Sequence, residues 1–233
     1  MSRPSINRSG HGGTRRRGFL GLFALAMATA FVALSVAGPP AIAKSPDRPL
    51  LPGEATELVR ALGDAAVEML SNDQLTQREK VRRFRHLLNQ SFALKGIARF
   101  ALGRYWRQAS LTQRRRYLKL FEDYIVNSYS ARFGNYAGEA FIVLAERTDD
   151  RGRAVVSTRI QRPSGQPVDI VWHLRERLGA VRIVDVVVEG ISMSLTQRSD
   201  FAAAVRTAGG DLDTFLDALE AKVRSTNVQP AKP

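Results

Sequence analysis

The sequence predicts an α+β domain: helices packed on one side of a four-stranded, mainly antiparallel sheet. Three observations carry this. Apolar residues recur at three-four spacing up to about residue 136, the period changes to strand-like from about Glu139, and helical spacing returns after Gly190. The strand-like stretch is cut by three short turns, which makes it a meander rather than a set of crossovers.

The helical part is read from its apolar stripes and caps. From Glu54 to Leu70 the residues Leu58, Ala61, Leu62, Ala65, Val67 and Leu70 mostly follow helical spacing and mark one helix. Thr76 with Glu79 three residues later is a capping box, and Val81, Phe84, Leu87, Leu88 and Phe92 line the helix behind it. Ala93 to Arg99 forms a third, ending at Ala101-Leu102-Gly103. Ser110 and Gln113 repeat the capping pattern ahead of Tyr117, Leu120, Phe121, Tyr124, Ile125 and Tyr129, and Phe133 to Tyr136 ends that helix.

The strands follow. Phe141 to Ala145 is the first, Thr148 to Gly152 a turn, Arg153 to Arg162 an alternating second and Pro163-Ser164-Gly165 another turn. Pro167 to Arg177 is the third, with Ile170, Trp172 and Leu174 on one face and Val171, His173 and Arg175 on the other. Beyond Leu178-Gly179, Val181 to Glu189 is rich enough in Val and Ile to predict burial on both faces. Two helices close the chain, one over Ser199 to Ala208 stopped by Gly209-Gly210, the other from Asp211 with its stripe through Val223.

The N-terminus assigns a destination. Residues 1–17 carry five arginines and no acid, an apolar stretch runs from Gly18 to Ala37, and Ala41-Ile42-Ala43 offers a small-x-small cleavage site. This is the order of a cleaved export signal over residues 1–43. Arg16-Arg17 before Gly18-Phe19-Leu20 resembles a twin-arginine signal, and arginines ahead of a Sec-type signal fit equally. The apolar run is also long enough for an anchor, but its Gly, Thr and Ser and the cleavage site favour removal. Residues 44–53, with three prolines, read as an extended leader; residues 54–224 as a single domain; residues 225–233 as a disordered tail.

Removal of residues 1–43 leaves 190 of 233 residues and lowers the formal charge from +13 to +8. For an exported protein, that charge points to anionic lipid or an acidic protein and away from nucleic acid. The charge is also polarised. Thr76 to Lys119 holds thirteen Lys/Arg and one acid, whereas Asp185 to Glu220 holds seven acids and two arginines.

Motifs for catalysis are scarce. With no cysteine there is no thiolate chemistry or disulfide, and there is no G-x-S-x-G elbow, phosphate-binding glycine loop or metal-ligand spacing. No cofactor is expected. Beyond residue 43 the histidines are His86, on a solvated basic face, and His173, on a strand. Asp185 and Glu189 interrupt an apolar strand; they read as paired structural carboxylates, with a general base in a cone-shaped pocket as the enzymatic alternative.

At Asp169-Ile170-Val171-Trp172-His173-Leu174-Arg175 and Val184-Asp185-Val186-Val187-Val188-Glu189-Gly190-Ile191-Ser192-Met193 the chain resembles the MlaC/toluene-tolerance family. The pattern continues through Arg198-Ser199-Asp200-Phe201 and Gly209-Gly210, and upstream at Leu102 to Trp106, Phe121 to Tyr124 and Tyr129 to Tyr136. The likeness covers roughly Glu54 to Val223, and a twin-arginine signal would depart from it.

That resemblance implies a periplasmic, non-enzymatic phospholipid carrier. The carrier would pass lipid between an outer-membrane lipoprotein complex and an inner-membrane ABC transporter complex with its substrate-binding subunit. It also implies a curved sheet, similar to the nuclear-transport-factor-like cone, enclosing an apolar cavity. The alternatives are a hopanoid-associated paralogue, an adaptor that carries no lipid, and a cone-fold enzyme using Asp185 or Glu189. An acyl carrier needs an aliphatic and aromatic lining, because a sixteen-carbon tail is worth about 12 kcal/mol out of water at about 0.8 kcal/mol per methylene. The candidate lining is Phe141, Val143, Val155, Ile170, Trp172, Leu174, Val184, Val186 and Val188 from the strands, with Tyr105, Phe121 and Ile125 from the helices. Arg104 and Arg107 are the candidates for a lipid head group.

Overall fold

The computed structural model describes residues 50–177 and 179–227. The export signal, most of the leader and the last six residues lie outside them. The elements in chain order are α1 (Glu54–Ser71), α2 (Gln77–Ser91), α3 (Leu94–Leu102), the single turn α4 (Tyr105–Gln108) and α5 (Leu111–Ser130). The strands β1 (Ala140–Thr148), β2 (Ala154–Gln161), β3 (Val168–Arg177), β4 (Ala180–Val188) and β5 (Ile191–Ser192) come next, then α6 (Met193–Thr207) and α7 (Leu212–Asn227). The sheet order is β1-β2-β3-β4-β5 and every neighbouring pair is antiparallel. This is the expected α+β meander, extended by the two-residue β5.

Local chemistry accounts for the helix starts. Thr76 and Glu79 form a complete capping box, as do Ser110 and Gln113. The start of α1 is tied to the sheet instead: Glu146 on β1 accepts from the Thr56 hydroxyl at 2.5 Å and from the Thr56 N–H at 2.9 Å. At the α6–α7 junction Gly209 and Gly210 have φ of 68° and 85°, the left-handed conformation that ends α6. Helix α7 continues to Asn227, so Ser225 and Thr226 belong to the helix rather than to the tail.

The main departure is α6. It begins at Met193, six residues before the expected start, because Ser192 caps it: the Ser192 hydroxyl accepts from the Leu195 N–H at 3.2 Å. Its first two turns carry no apolar stripe, so periodicity could not reveal them. A second departure is β4, where Ile183, Val186 and Val188 are buried but Val184 and Val187 are only half-buried. One face packs against the helices; the other lies partly open.

Two apolar cores result. The first lies between the inner face of the sheet and α1 and α2, with Val59, Met69, Phe84, Ile160, Trp172 and Leu174 among its members. The second is helical and aromatic: Tyr117 packs against Phe121, Phe201 and Phe215 with ring centroids 5.9–6.5 Å apart. Edge-on and tilted arrangements of this kind suit the ring quadrupoles. The Tyr117 hydroxyl, buried with its ring, donates to the Ala98 carbonyl at 2.8 Å.

Helix α1 meets β1 at Gly63, where an added β-carbon would overlap the Phe141 ring. Glycine in a helix interior ordinarily costs about 1 kcal/mol relative to alanine. Here the sign reverses: Gly63→Ala is expected to destabilise by about 1–3 kcal/mol through overpacking. Denaturant unfolding checks this, and Gly63→Ala with Phe141→Leu should recover most of the loss. A more stable Gly63→Ala protein would show that the Phe141 ring swings aside freely.

Folding also redistributes the charge. The acidic α7 lies against the basic α5: Arg116 pairs with Asp217 at 2.7 Å and Glu220 at 2.5 Å, and Gln113 donates to Asp213 at 3.0 Å. Arg85 pairs with Glu122 and Asp123 of α5 at 2.9 and 2.8 Å. Part of the polarity along the sequence is therefore neutralised within the molecule. Arg78, Arg82 and Arg83 on α2 and Arg99, Arg104, Arg107 and Arg115 further on remain exposed.

Candidate functional site

The candidate site sits at the seam of the two cores. An apolar pit of about 60 Å³ is enclosed by Leu88, Phe92, Ile97, Phe121, Ile125 and Val186. Leu94, Tyr129 and Asp185 also line it, and the first turn of α6 adds Met193, Ser194 and Gln197. It adjoins a second cavity of about 250 Å³ between α5 and α6, and Ile125, Tyr129, Met193 and Gln197 border both. The outer cavity is more polar, with Ser128, Arg132, Thr196 and Asp200 at its walls. The two cavities share four lining residues and differ in polarity, a gradient of the kind an amphiphile requires.

The strand, the link after α2 and the helices each reach the pit for a local reason. Val186 faces inward because it pairs with Trp172 across β3 and β4, and the period-two pleat puts both on the inner face. Phe92 is delivered by the α2–α3 link, which bridges to Ile183 and donates from the Ala93 N–H to the Ile183 carbonyl at 2.9 Å. Met193 and Ser194 are placed by Asp185. That carboxylate accepts from the Ser192 hydroxyl at 2.6 Å, the Ser194 N–H at 3.0 Å and the Val186 N–H at 2.9 Å, stapling the start of α6 to β4.

Of the residues expected to line a cavity, the structure brings Phe121, Ile125 and Val186 together in the pit. Ile170, Trp172, Leu174 and Val188 face the same side of the sheet but are closed in by α1 and α2, with Phe141 and Val143 packed half-buried against them. Tyr105 belongs to the helical core. Val155 pairs with His173 and so points to the outer face, and Val184 is the extra residue at a bulge between His173 and Leu174.

Arg104 stacks on the Tyr105 ring at 4.9 Å and donates to its hydroxyl at 2.9 Å. Neither Arg104 nor Arg107 reaches the pit or its mouth; the arginine there is Arg132. Leu88 and Phe92 carried a signal, since both lie on the predicted α2 stripe. Met193, Ser194 and Gln197 carried none, because α6 was expected to begin after them.

The carboxylates singled out in the sequence are engaged. Asp185 holds the three donors described, and Glu189 accepts from the Asp169 N–H at 2.7 Å while adopting a left-handed φ of 49°. Asp149, in the β1–β2 turn, accepts from the Arg151 and Arg153 N–H groups at 3.0 and 2.9 Å and from the Arg153 guanidinium at 2.6 Å. Burial would push its pKa up, but the Arg153 and Arg151 donors outweigh that and hold it at about 2. Among the described residues no group of three His, Asp or Glu side chains is placed to hold a metal ion.

Asp149 therefore sets an acid dependence. A folded-state pKa below the unfolded value means the stabilisation is fully present above about pH 4 and is lost as pH falls through about 2. Asp149→Asn is expected to be less stable than the parent at pH 6, with the gap closing towards pH 2. Urea midpoints measured across that range check it; a gap undiminished at pH 2 would overturn the assignment.

Comparisons with known proteins place this architecture. Residues 60–221 match the family model described as MlaC protein. The toluene tolerance protein ttg2D of Pseudomonas putida is 27% identical over 114 residues, 49% of this chain and 53% of that protein, so the match spans about half of its length. In structure, a phospholipid-binding protein from Ralstonia solanacearum, solved in complex with a phospholipid, superposes with a TM-score of 0.60. The superposition covers 69% of this chain and 92% of the other at 17% identity, which establishes a shared fold. With the family model matching residues 60–221 of this 233-residue chain, the α+β meander in place and the expected motifs on β3, β4 and α6, this chain belongs to the MlaC family.

Proposed function

We propose that the protein is a periplasmic, non-enzymatic phospholipid carrier that takes acyl chain into the pit and leaves the head group at the wetter mouth. It shuttles lipid between an outer-membrane lipoprotein complex and an inner-membrane ABC transporter complex with its substrate-binding subunit. The observation that carries the reading is the pit itself: an apolar space at the seam of two cores, sharing four lining residues with a more polar cavity between α5 and α6. The family, and a similar fold solved with phospholipid, support the choice of ligand. No described helix is long and apolar enough to cross a membrane.

The inner space is worth about two water volumes, far less than an acyl chain. Loading therefore parts the two cores along their seam, with Ile125 and Met193 at the point of entry. Such an opening exposes apolar surface, and the transfer of the tail offsets that cost at about 0.8 kcal/mol per methylene. Engagement of Asp185 and Glu189 by backbone and serine donors supports a carrier over a cone-fold enzyme that would use either as a base.

Mass spectrometry of organic extracts tests the reading, using full-length chain exported to a periplasm and purified without detergent. Near-stoichiometric glycerophospholipid is expected. A hopanoid would reassign the ligand, and protein that stays empty after incubation with phospholipid vesicles would overturn the carrier.

A further inference from the structure

The outer face of the sheet holds a separate pocket of about 490 Å³. It has no role in the acyl path and shares with the pit only the partition formed by Ile97, Asp185 and Ser194. The floor is β3 and β4 through His173, Arg175 and Val187; Arg151 and Arg153 of the β1–β2 turn stand on one side. The opposite wall is apolar, from α3 and the start of α6, and includes Phe100 and Leu195, 39% and 59% exposed.

Register explains why cations collect here. Arg147, Val155, His173 and Asp185 form one cross-strand row, and in the next row Arg175 lies directly opposite Arg182. Like charges facing each other across a strand pair are destabilising unless something between them is negative. Among the described residues no carboxylate pairs with Arg151, Arg175 or Arg182, and Arg182 donates to the Val181 carbonyl at 2.9 Å. The two acids within reach are already engaged, Asp149 by Arg153 and Asp185 by Ser192 and Ser194. The buried Nδ1 of His173 has no hydrogen-bond partner and lies 3.9 Å from Asp149. Unpaired guanidinium groups on one side and exposed apolar side chains on the other make a pocket for an anion with an apolar substituent.

We propose that this pocket binds a phosphate group, held by Arg151 and Arg175, and that any organic part the phosphate carries lies against Phe100 and Leu195. The phosphate comes from a glycerophospholipid head group or from free phosphate in the compartment. The carried lipid leaves its own head group at the mouth, so the first source is a lipid still in the membrane that the carrier meets, and it rests on the carrier reading; the second does not depend on it.

Calorimetric titration with glycerol 3-phosphate and with inorganic phosphate tests the site, on the full chain as exported and freed of lipid by detergent exchange. Saturable binding is expected. It should weaken about tenfold or more in Arg151→Ala/Arg175→Ala, the loss of two charge-assisted contacts, but less than about twofold in Arg78→Ala/Arg83→Ala, which removes equal charge from α2. Tighter binding of glycerol 3-phosphate supports the head-group source, and equal binding of both probes supports free phosphate. No saturable binding, or equal weakening in the two double variants, overturns the site. Should Arg151→Ala/Arg175→Ala fail to fold, the His173 imidazole resonances of the parent decide: they move on adding glycerol 3-phosphate, or the site is wrong. Lipid content of extracts separates the two readings. Empty protein that binds phosphate sinks only the carrier; lipid-laden protein that binds none sinks only this site.

Discussion

Trp172→Ala is expected to lower unfolding stability by about 3–5 kcal/mol, the largest loss of any single substitution considered for this protein. The indole is 1% exposed, sits centrally in the sheet-side core and meets Phe141 edge-on at 6.4 Å. Its Nε1–H donates to the Thr158 hydroxyl at 2.9 Å, so truncation opens a large cavity and also removes a buried hydrogen bond, leaving Thr158 only its donation to the Ile170 carbonyl at 3.4 Å. Against a typical total of about 5–15 kcal/mol, that is a substantial fraction of the whole. Trp172→Phe keeps most of the ring volume and should cost only about 1–2 kcal/mol, chiefly the lost hydrogen bond to Thr158. Guanidinium unfolding of both variants measures this. A loss below about 1 kcal/mol for Trp172→Ala would place the indole at a yielding cavity wall instead of in the fixed core.

Ile125→Glu is expected to reduce co-purified phospholipid by about tenfold or more while leaving the helical circular dichroism unchanged. Ile125 is half-buried and borders both the pit and its outer cavity, so any chain entering between α5 and α6 passes it. In the empty protein a glutamate there can turn towards Arg132 and Ser128 at the mouth. With an acyl chain present it must be desolvated, which costs several kcal/mol, and each 1.4 kcal/mol is a factor of ten in occupancy. Ile125→Ala keeps the site apolar and should retain lipid, and Leu111→Glu, on an exposed side chain, should change nothing. Quantified phospholipid per protein decides: full occupancy in Ile125→Glu would show that lipid does not travel through this seam.

The two substitutions differ in how far sequence could have foreseen them. Trp172 is visible as an inward residue because it alternates with His173 and stands between Ile170 and Leu174. Sequence could not say whether that inner face would line a cavity or be filled. Helices α1 and α2 fill it, since Val59, Met69 and Phe84 reach the sheet there. Ile125, by contrast, lies on a helix stripe indistinguishable from ordinary core. It becomes part of a pit only because α6 begins early at Ser192 and lays polar turns opposite it.

Short-range chemistry was legible throughout. The two capping boxes and the glycine stop at Gly209-Gly210 depend on neighbours within a few positions, and each stands in the structure as read, whereas the first turn is shorter than read, with Thr148 ending β1. The family motifs were legible for the same reason, being runs on β3, β4 and the start of α6.

What the sequence by itself determined is therefore the α+β order of elements, the caps and turns that bound them, and the face of each strand that is apolar. Only the tertiary structure decided that the apolar residues divide into two cores with a pit at their seam, that α7 neutralises part of the basic α5, and that unpaired arginines from the β1–β2 turn and β3 converge on the outer face. The reason is physical: caps and pleats are local, whereas cavities and charge clusters arise between segments tens of residues apart, where packing and cross-strand register determine which side chains meet.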